Sequence, residues 1–189
     1  MTVAYFNSSL SLVKLVLIFI NPLTVVLLPH LIEKTNKGQF KEISESLNIL
    51  FRLSIVTSII ITSFIIAYTL PLFDLWLGEV EESSTFVLRL TIITLPFYTL
   101  SGLARSPINA ASEKGYSSIV YGIGAITMLL TLFIGWILGF DFKINAIISF
   151  VIGQIVTSII SIHIVKRFFS LHIFNTSLFK EIGILIMFI

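Results

Sequence analysis

The chain has 189 residues, of which 56% are hydrophobic and only 12% charged, with a formal net charge of +2. Soluble domains carry about 25% charged residues, so this composition excludes an ordinary globular domain and indicates a polytopic membrane protein. The small net charge offers no footprint for nucleic acid, and the absence of cysteine excludes disulfides and thiolate metal sites.

The apolar runs are continuous rather than alternating segments of about 10 residues, which points to membrane helices and not to an outer-membrane barrel. The fold class is therefore all-α. The N-terminus lacks a basic n-region, and its first apolar run is too long and too polar-interrupted for a signal peptide. At about 20 apolar residues per crossing, residues 1–189 read as a single transmembrane bundle of five full spans and a partial sixth.

The first span, Val3–Ile32, carries Lys14 near its middle, with Asn21-Pro22 and Pro29 further on. A lysine at bilayer depth costs roughly 2.5–3.5 kcal/mol on insertion scales, so such a residue faces protein or a water-filled cavity. At about 100° per residue, Asn7, Ser11, Lys14 and Asn21 fall within about 80° of one another. They form one polar face on a helix otherwise built of Leu, Val, Ile and Phe. A cavity-lining face is the leading expectation, and a Lys14 that snorkels to an interface is the competing one. The polar connector Glu33–Ser46 follows, with Gly38 a natural break and Lys41, Glu42 and Glu45 an amphipathic lead-in. A solvated connector is its plain reading.

The second span, Leu47–Phe73, repeats Ser54, Ser58 and Thr62 at helical spacing, and Tyr68, Phe73 and Trp76 form an aromatic belt at its end. In the third, Thr85–Ala111, Pro96 removes one intrahelical hydrogen bond and predicts a kink. Thr94, Tyr98, Ser101, Gly102 and Arg105 gather in one half, and Pro107 marks where the helix should loosen. Arg89 and Arg105 lie about 24 Å apart along a straight helix, near opposite interfaces. Each snorkels in the plain reading; in the functional one they attract anions at the mouths of a central cavity, together with Arg52.

The fourth span, Ser117–Gly139, carries Thr127, Thr131, Gly135 and Gly139; the fifth, Ile144–Val165, carries Asn145, Ser149, Gly153, Thr157 and Ser161. Such rows let helix backbones approach closely and bond through hydroxyls. Trp136, Phe140 and Phe142 form a second belt between these spans. The partial sixth, Leu178–Ile189, reaches about 18 Å and cannot cross about 30 Å of hydrocarbon, so the chain is expected to be a fragment cut inside a helix.

Lys34, Lys37, Lys41, Arg52, Arg105, Lys114, Lys166, Arg167 and Lys180 fall on one side of the membrane. Asp74, Glu79, Glu81, Glu82 and Asp141 fall on the other, beside Lys143 and Arg89. This bias places the connectors 33–46, 105–116 and 166–178 in the cytoplasm and the N-terminus outside. His30, His163 and His172 form no cluster, and no paired carboxylates stand at membrane depth, so neither an enzyme nor a metal or other cofactor is expected.

Taken as a series, a polar-faced helix ending LLPHLIEKTNKGQF, a helix ending LPLFDLWLGE, a third closing SGLARSPINAASEKGYSS and two small-residue helices resemble a known family. The chain is similar to the multidrug/oligosaccharidyl-lipid/polysaccharide (MOP) transporter superfamily, and particularly to its polysaccharide-export branch of O-antigen-type flippases. Pro29 and Gly38 stand where that branch has a proline-ended helix and a glycine in a basic cytoplasmic loop. Asn109-Ala110-Ala111-Ser112-Glu113-Lys114-Gly115 stands where it has a short connector. The departure is Phe142-Lys143-Ile144-Asn145-Ala146, where the family often has a Gly-Ala-Ala run.

The resemblance implies a MATE-like half of a multi-pass transporter of twelve to fourteen helices in the inner or plasma membrane. Its implied work is flipping a polyprenyl-diphosphate-linked oligosaccharide for cell-surface polysaccharide and lipopolysaccharide biosynthesis, by alternating access. Lys14 would meet the diphosphate, Asn7, Ser11 and Asn21 would bond sugar or phosphate, and Pro22 and Pro96 would be hinges. The implied partners are the lipid-linked oligosaccharide, membrane lipids, a coupling cation (H+ or Na+) and the remainder of the transporter; nucleic acid is not among them. Two other readings stay open. A cation-coupled multidrug exporter of the same superfamily would use a buried carboxylate as its coupling site. In a non-transporting membrane assembly subunit, Lys14 would meet a partner's acid.

Overall fold

The computed structural model describes residues 37–78, 82–111 and 115–169, together with 7, 8, 10, 11, 13–15, 18, 29 and 32–35. Among the described residues the long elements are six helices, with no strand: α1 Phe40–Ala67, α2 Thr69–Leu77, α3 Glu82–Ile92, α4 Leu95–Ala111, α5 Tyr116–Ile137 and α6 Phe142–Phe169. Four stretches are long and apolar enough to cross a membrane: Lys41–Ala67, Thr85–Ala111, Tyr116–Ile137 and Phe142–Phe169. The chain is a membrane-embedded, all-α bundle, and these stretches correspond to the second to fifth spans of the sequence. Asn21, Pro22 and the partial span from Leu178 lie outside the described residues, as does most of the first span.

Prolines set the helix breaks. Pro71 has no N–H, so the carbonyl of Ala67 has no donor four residues on, and α1 gives way to α2 at Tyr68. The Thr69 hydroxyl donates to the carbonyls of Ile65 and Ile66, both at 2.8 Å. Pro96 deprives Ile92 in the same way, and the kink expected of it is a turn at Ile93 and Thr94. There the Thr94 N–H and hydroxyl both donate to the Thr91 carbonyl, at 3.0 and 2.6 Å. Pro107 lies inside α4, which continues to Ala111.

Other boundaries differ from the expected ones for local reasons. The helix of the second span begins at Phe40 rather than Leu47, so Lys41, Glu42 and Glu45 belong to its first turns. Gly38, at φ +71°, ends a short preceding helix. Its own N–H donates to Thr35 and that of Gln39 to Lys34, each at 3.0 Å, the paired bonds of a Schellman motif. Gly139, at φ +76°, closes α5 identically, with Gly139 N–H to Trp136 at 3.1 Å and Phe140 N–H to Gly135 at 3.0 Å. Gly139 is therefore a helix cap and not a member of the packing row. Asp141 then caps α6: its Oδ1 accepts from the N–H groups of Lys143 at 2.9 Å and Ile144 at 3.2 Å.

The bundle is centred on α6, which packs along both α5 and α4, while α4 also packs on α1. Ile43, Leu47, Phe51 and Ile55 of α1 meet Leu100, Leu103, Ala104 and Ile108 of α4 and Val165 and Phe169 of α6. This cluster fixes α1 antiparallel to α4 and lies at the end of the bundle that carries Lys41, Arg105, Lys166 and Arg167. A second cluster, Ile65, Phe73, Leu88 and Ile92, closes the other end. Phe73 is fully buried there and so does not join the expected aromatic belt; Tyr68, Trp76, Trp136, Phe140 and Phe142 are exposed.

Glycine sets the spacing of α5 and α6. A Cβ on Gly124 would collide with the Thr157 hydroxyl, and one on Gly135 with the Asn145 amide. A Cβ on Gly153 would stand 3.1 Å from the Gly124 carbonyl oxygen. Asn145 Nδ2 donates across this seam to the Leu132 carbonyl at 2.8 Å, a bond of a type that averages about 0.6 kcal/mol in membrane bundles. Asn145, Ser149, Gly153, Thr157 and Ser161 are all buried, as close packing requires. Thr127 and Thr131 instead donate back to carbonyls of their own helix.

Candidate functional site

α4 and α5 both lie on α6 but meet each other only lightly; the stretch of α6 between them is the candidate groove. Gly153 of α6 faces α5 and Val165 faces α4. At about 100° per residue, Phe150 and Gln154 point between these two directions and form the floor. The Tyr98 ring of α4 leans on Phe150 at a centroid distance of 6.1 Å. The Gln154 Oε1 is buried with no hydrogen-bond partner.

The α4 wall is a helical row of Tyr98, Ser101, Gly102 and Arg105. The Ser101 hydroxyl donates to the Tyr98 carbonyl at 3.1 Å, turning its donor away from the groove. Beside Gly102 there is open space where a side chain would stand, and Arg105 is exposed. From α5, the Tyr121 hydroxyl reaches across toward the Ser101 carbonyl at 3.5 Å, a long and weak contact. Tyr98 and Tyr121 are neighbours, and Arg105 is within electrostatic range of Tyr121. A guanidinium brings five donors in a fixed planar fork suited to phosphate. Two phenols and an orphaned amide oxygen add hydroxyl-type partners and flat ring faces. Chemically, the arrangement can hold an anionic head joined to a polyhydroxyl body. Two further buried hydroxyls, Thr62 of α1 and Thr99 of α4, also have no partner, so polar demand inside the bundle extends beyond the groove.

Asn7, Ser11 and Lys14 are exposed, while Val13 beside them is 2% exposed and packs with Leu95, Ile61 and Tyr98. The polar face of this N-terminal segment is thus turned roughly 100–160° away from its contact with α4. The Ser11 hydroxyl donates to the Asn7 carbonyl at 2.9 Å. Leu95 of α4, which meets Val13, lies one turn from Tyr98, so the segment approaches the start of the α4 wall. Of the expected cations, Arg105 is the one in the groove. Arg52 is half-buried on α1 at a similar depth, next to Phe51 of the cluster that also holds Ala104. Arg89 is exposed on α3, beyond the helix break. Pro96 sits at that break, half-buried, in the first turn of α4.

Tyr121 and Gln154 are absent from the expected site residues. Gln154 had a signal, since an amide in the middle of an apolar span is costly unless used. Tyr121 had none: a tyrosine near the start of a span reads as an interface anchor. Comparisons of the chain with protein-family models, curated proteins and solved structures return no match.

Proposed function

We propose that the chain is half of an alternating-access flippase of the MOP superfamily's polysaccharide-export branch, which carries a polyprenyl-diphosphate-linked oligosaccharide from the inner to the outer leaflet of the cell membrane. The observation that carries this reading is the groove: Arg105, Tyr98, Tyr121 and Gln154 on membrane-spanning helices, with Arg105 and the space beside Gly102 open. A cation toward one end of the spans and ring faces within them suit a phosphate-linked sugar, and the lipid tail stays in the bilayer. The exposed Lys14, with Asn7 and Ser11 on the neighbouring segment, supports the same ligand chemistry. The Lys/Arg-rich end of the bundle faces the cytoplasm in this reading, so Arg105 stands toward the inner leaflet, where the substrate is loaded. The chain acts without bond chemistry of its own and is not an enzyme.

The test is flux. In the complete transporter reconstituted in vesicles, appearance of a labelled lipid-linked oligosaccharide in the opposite leaflet is measured for wild type, Arg105→Gln and Lys14→Ala. Each variant is expected to lose about tenfold or more, which corresponds to about 1.4 kcal/mol of lost stabilisation. Wild-type flux in both would sink the proposal. The aromatic lining of Tyr98, Tyr121 and Phe150 favours a second reading, export of flat hydrophobic drugs. Arg105 repels the cationic ones, so under that reading Arg105→Gln raises cationic-drug flux instead of lowering oligosaccharide flux.

A further inference from the structure

Lys166 and Arg167 stand in the last turn of α6, between Val165 and Phe169, which are buried against α1 and α4. Both cations are exposed, as is His163 one turn earlier. At about 100° per residue, Ile159, His163, Lys166 and Arg167 fall within an arc of about 100°, on the side of α6 away from Val165 and from Gln154 of the groove. Ile159 is 59% exposed, so the arc is one open strip, apolar at Ile159 and cationic toward the helix end. Along the axis His163 stands about 6 Å beyond Ile159, and the two cations about 10–12 Å beyond it. The headgroup region on each side of a bilayer is about 5–8 Å thick. With Ile159 against hydrocarbon, Lys166 and Arg167 therefore reach the phosphates and His163 lies just beneath them. The exposed Phe168 ring, 6.0 Å from that of Tyr116, adds an aromatic pair of the kind that marks this level.

The strip lacks counter-charge. α4, α5 and α6 contain no Asp or Glu. Among the described residues, Glu42 and Glu33 pair with Lys34 and Lys37, and neither Lys166 nor Arg167 meets a carboxylate. The negative end of the α6 dipole offsets only part of two full charges. We propose that the strip binds one anionic phospholipid, its phosphate between Lys166 and Arg167 and an acyl chain along Ile159. The Arg167 guanidinium offers a planar fork that takes two phosphate oxygens together, and Lys166 adds a point charge. The His163 imidazole can donate to an ester oxygen of the same lipid. A zwitterionic lipid carries the same phosphate but also an ammonium, which the two cations repel, so charge makes the site selective. The inference stands on this face of α6 and is independent of what the groove binds.

The chain contains no cysteine, so one introduced thiol reports alone. A bimane fluorophore is attached at Ile159→Cys in the full chain, in phosphatidylcholine nanodiscs that hold about 10% phosphatidylglycerol. Bromine on the acyl chains of the phosphatidylglycerol is expected to quench it about threefold more strongly than the same amount of bromine on phosphatidylcholine. At Ile126→Cys, exposed on α5 at 58%, the two brominated lipids are expected to quench alike. Lys166→Gln/Arg167→Gln is expected to abolish the preference at Ile159→Cys. Equal quenching by the two lipids at Ile159→Cys overturns the proposal, and so does an equal preference at Ile126→Cys, which would mean diffuse attraction to the whole surface. Neither result depends on how the charge variant folds. A preference that survives the loss of both cations, in protein of unchanged helical content, also overturns it.

Discussion

At the residue scale, the turn between α5 and α6 shows how single side chains set helix ends. Gly139 takes φ +76°, which a side chain resists, and Asp141 satisfies two N–H groups at the start of α6. Replacing the cap by Asp141→Ala should cost about 1 kcal/mol, whereas Asp141→Asn should cost almost nothing, because asparagine caps equally well. Reversible unfolding in detergent micelles would separate the two; equal losses would mean that charge rather than capping matters. Gly38 carried a recognisable sequence signal as a break in a polar connector. Gly139 did not, since its spacing from Gly135 imitates a packing row. Only the backbone bonds from Gly139 and Phe140 reveal that it terminates the helix.

At the element scale, the pairing of α5 with α6 rests on the absence of side chains. Gly124→Ala would drive a methyl into the Thr157 hydroxyl, with the Thr157 Cβ at 3.2 Å and the Gly153 carbonyl oxygen at 3.3 Å. Overpacking of this kind costs about 1–3 kcal/mol. Thr157→Ala removes the hydroxyl and should recover part of the loss in the double variant, a coupling that a double-mutant cycle on unfolding free energy would measure. Strict additivity would show that the two residues do not meet. Asn145→Leu should also destabilise the pair, because it loses the bond to Leu132 and enlarges the side chain facing Gly135. The row on α6 was legible as a packing surface. Its partner on α5 was legible only in part: Gly135 belonged to the expected row, but Gly124 stands eleven residues from it and the intervening threonines bond to their own helix.

At the scale of the whole molecule, two kinds of exposed surface coexist. The face of α5 with Leu129, Leu130, Phe133 and Ile134 is apolar and open, as a lipid-facing surface is. The groove beside Gly102 is open but polar. Gly102→Cys should therefore react with a charged, water-soluble maleimide in intact membranes, and Leu130→Cys should not. Equal protection of both would mean that the groove is sealed by protein or lipid. Tyr121→Phe should leave stability within about 0.5 kcal/mol, since a contact at 3.5 Å contributes little.

The sequence by itself determined that this is an all-α membrane bundle, roughly where four of its spans run, and that Pro96 interrupts one of them. These follow from composition, run length and the missing proline N–H, all of which are local. It also singled out Arg105 as a cation in a polar half-helix. The tertiary structure alone decided that Arg105 lies near Tyr121, and that Phe73 is core rather than interface. Each of these depends on which helices meet. In a bundle whose helices are apolar nearly all round, hydrophobic pattern cannot choose neighbours; close approach at glycine, and the spaces it leaves between α4 and α5, does.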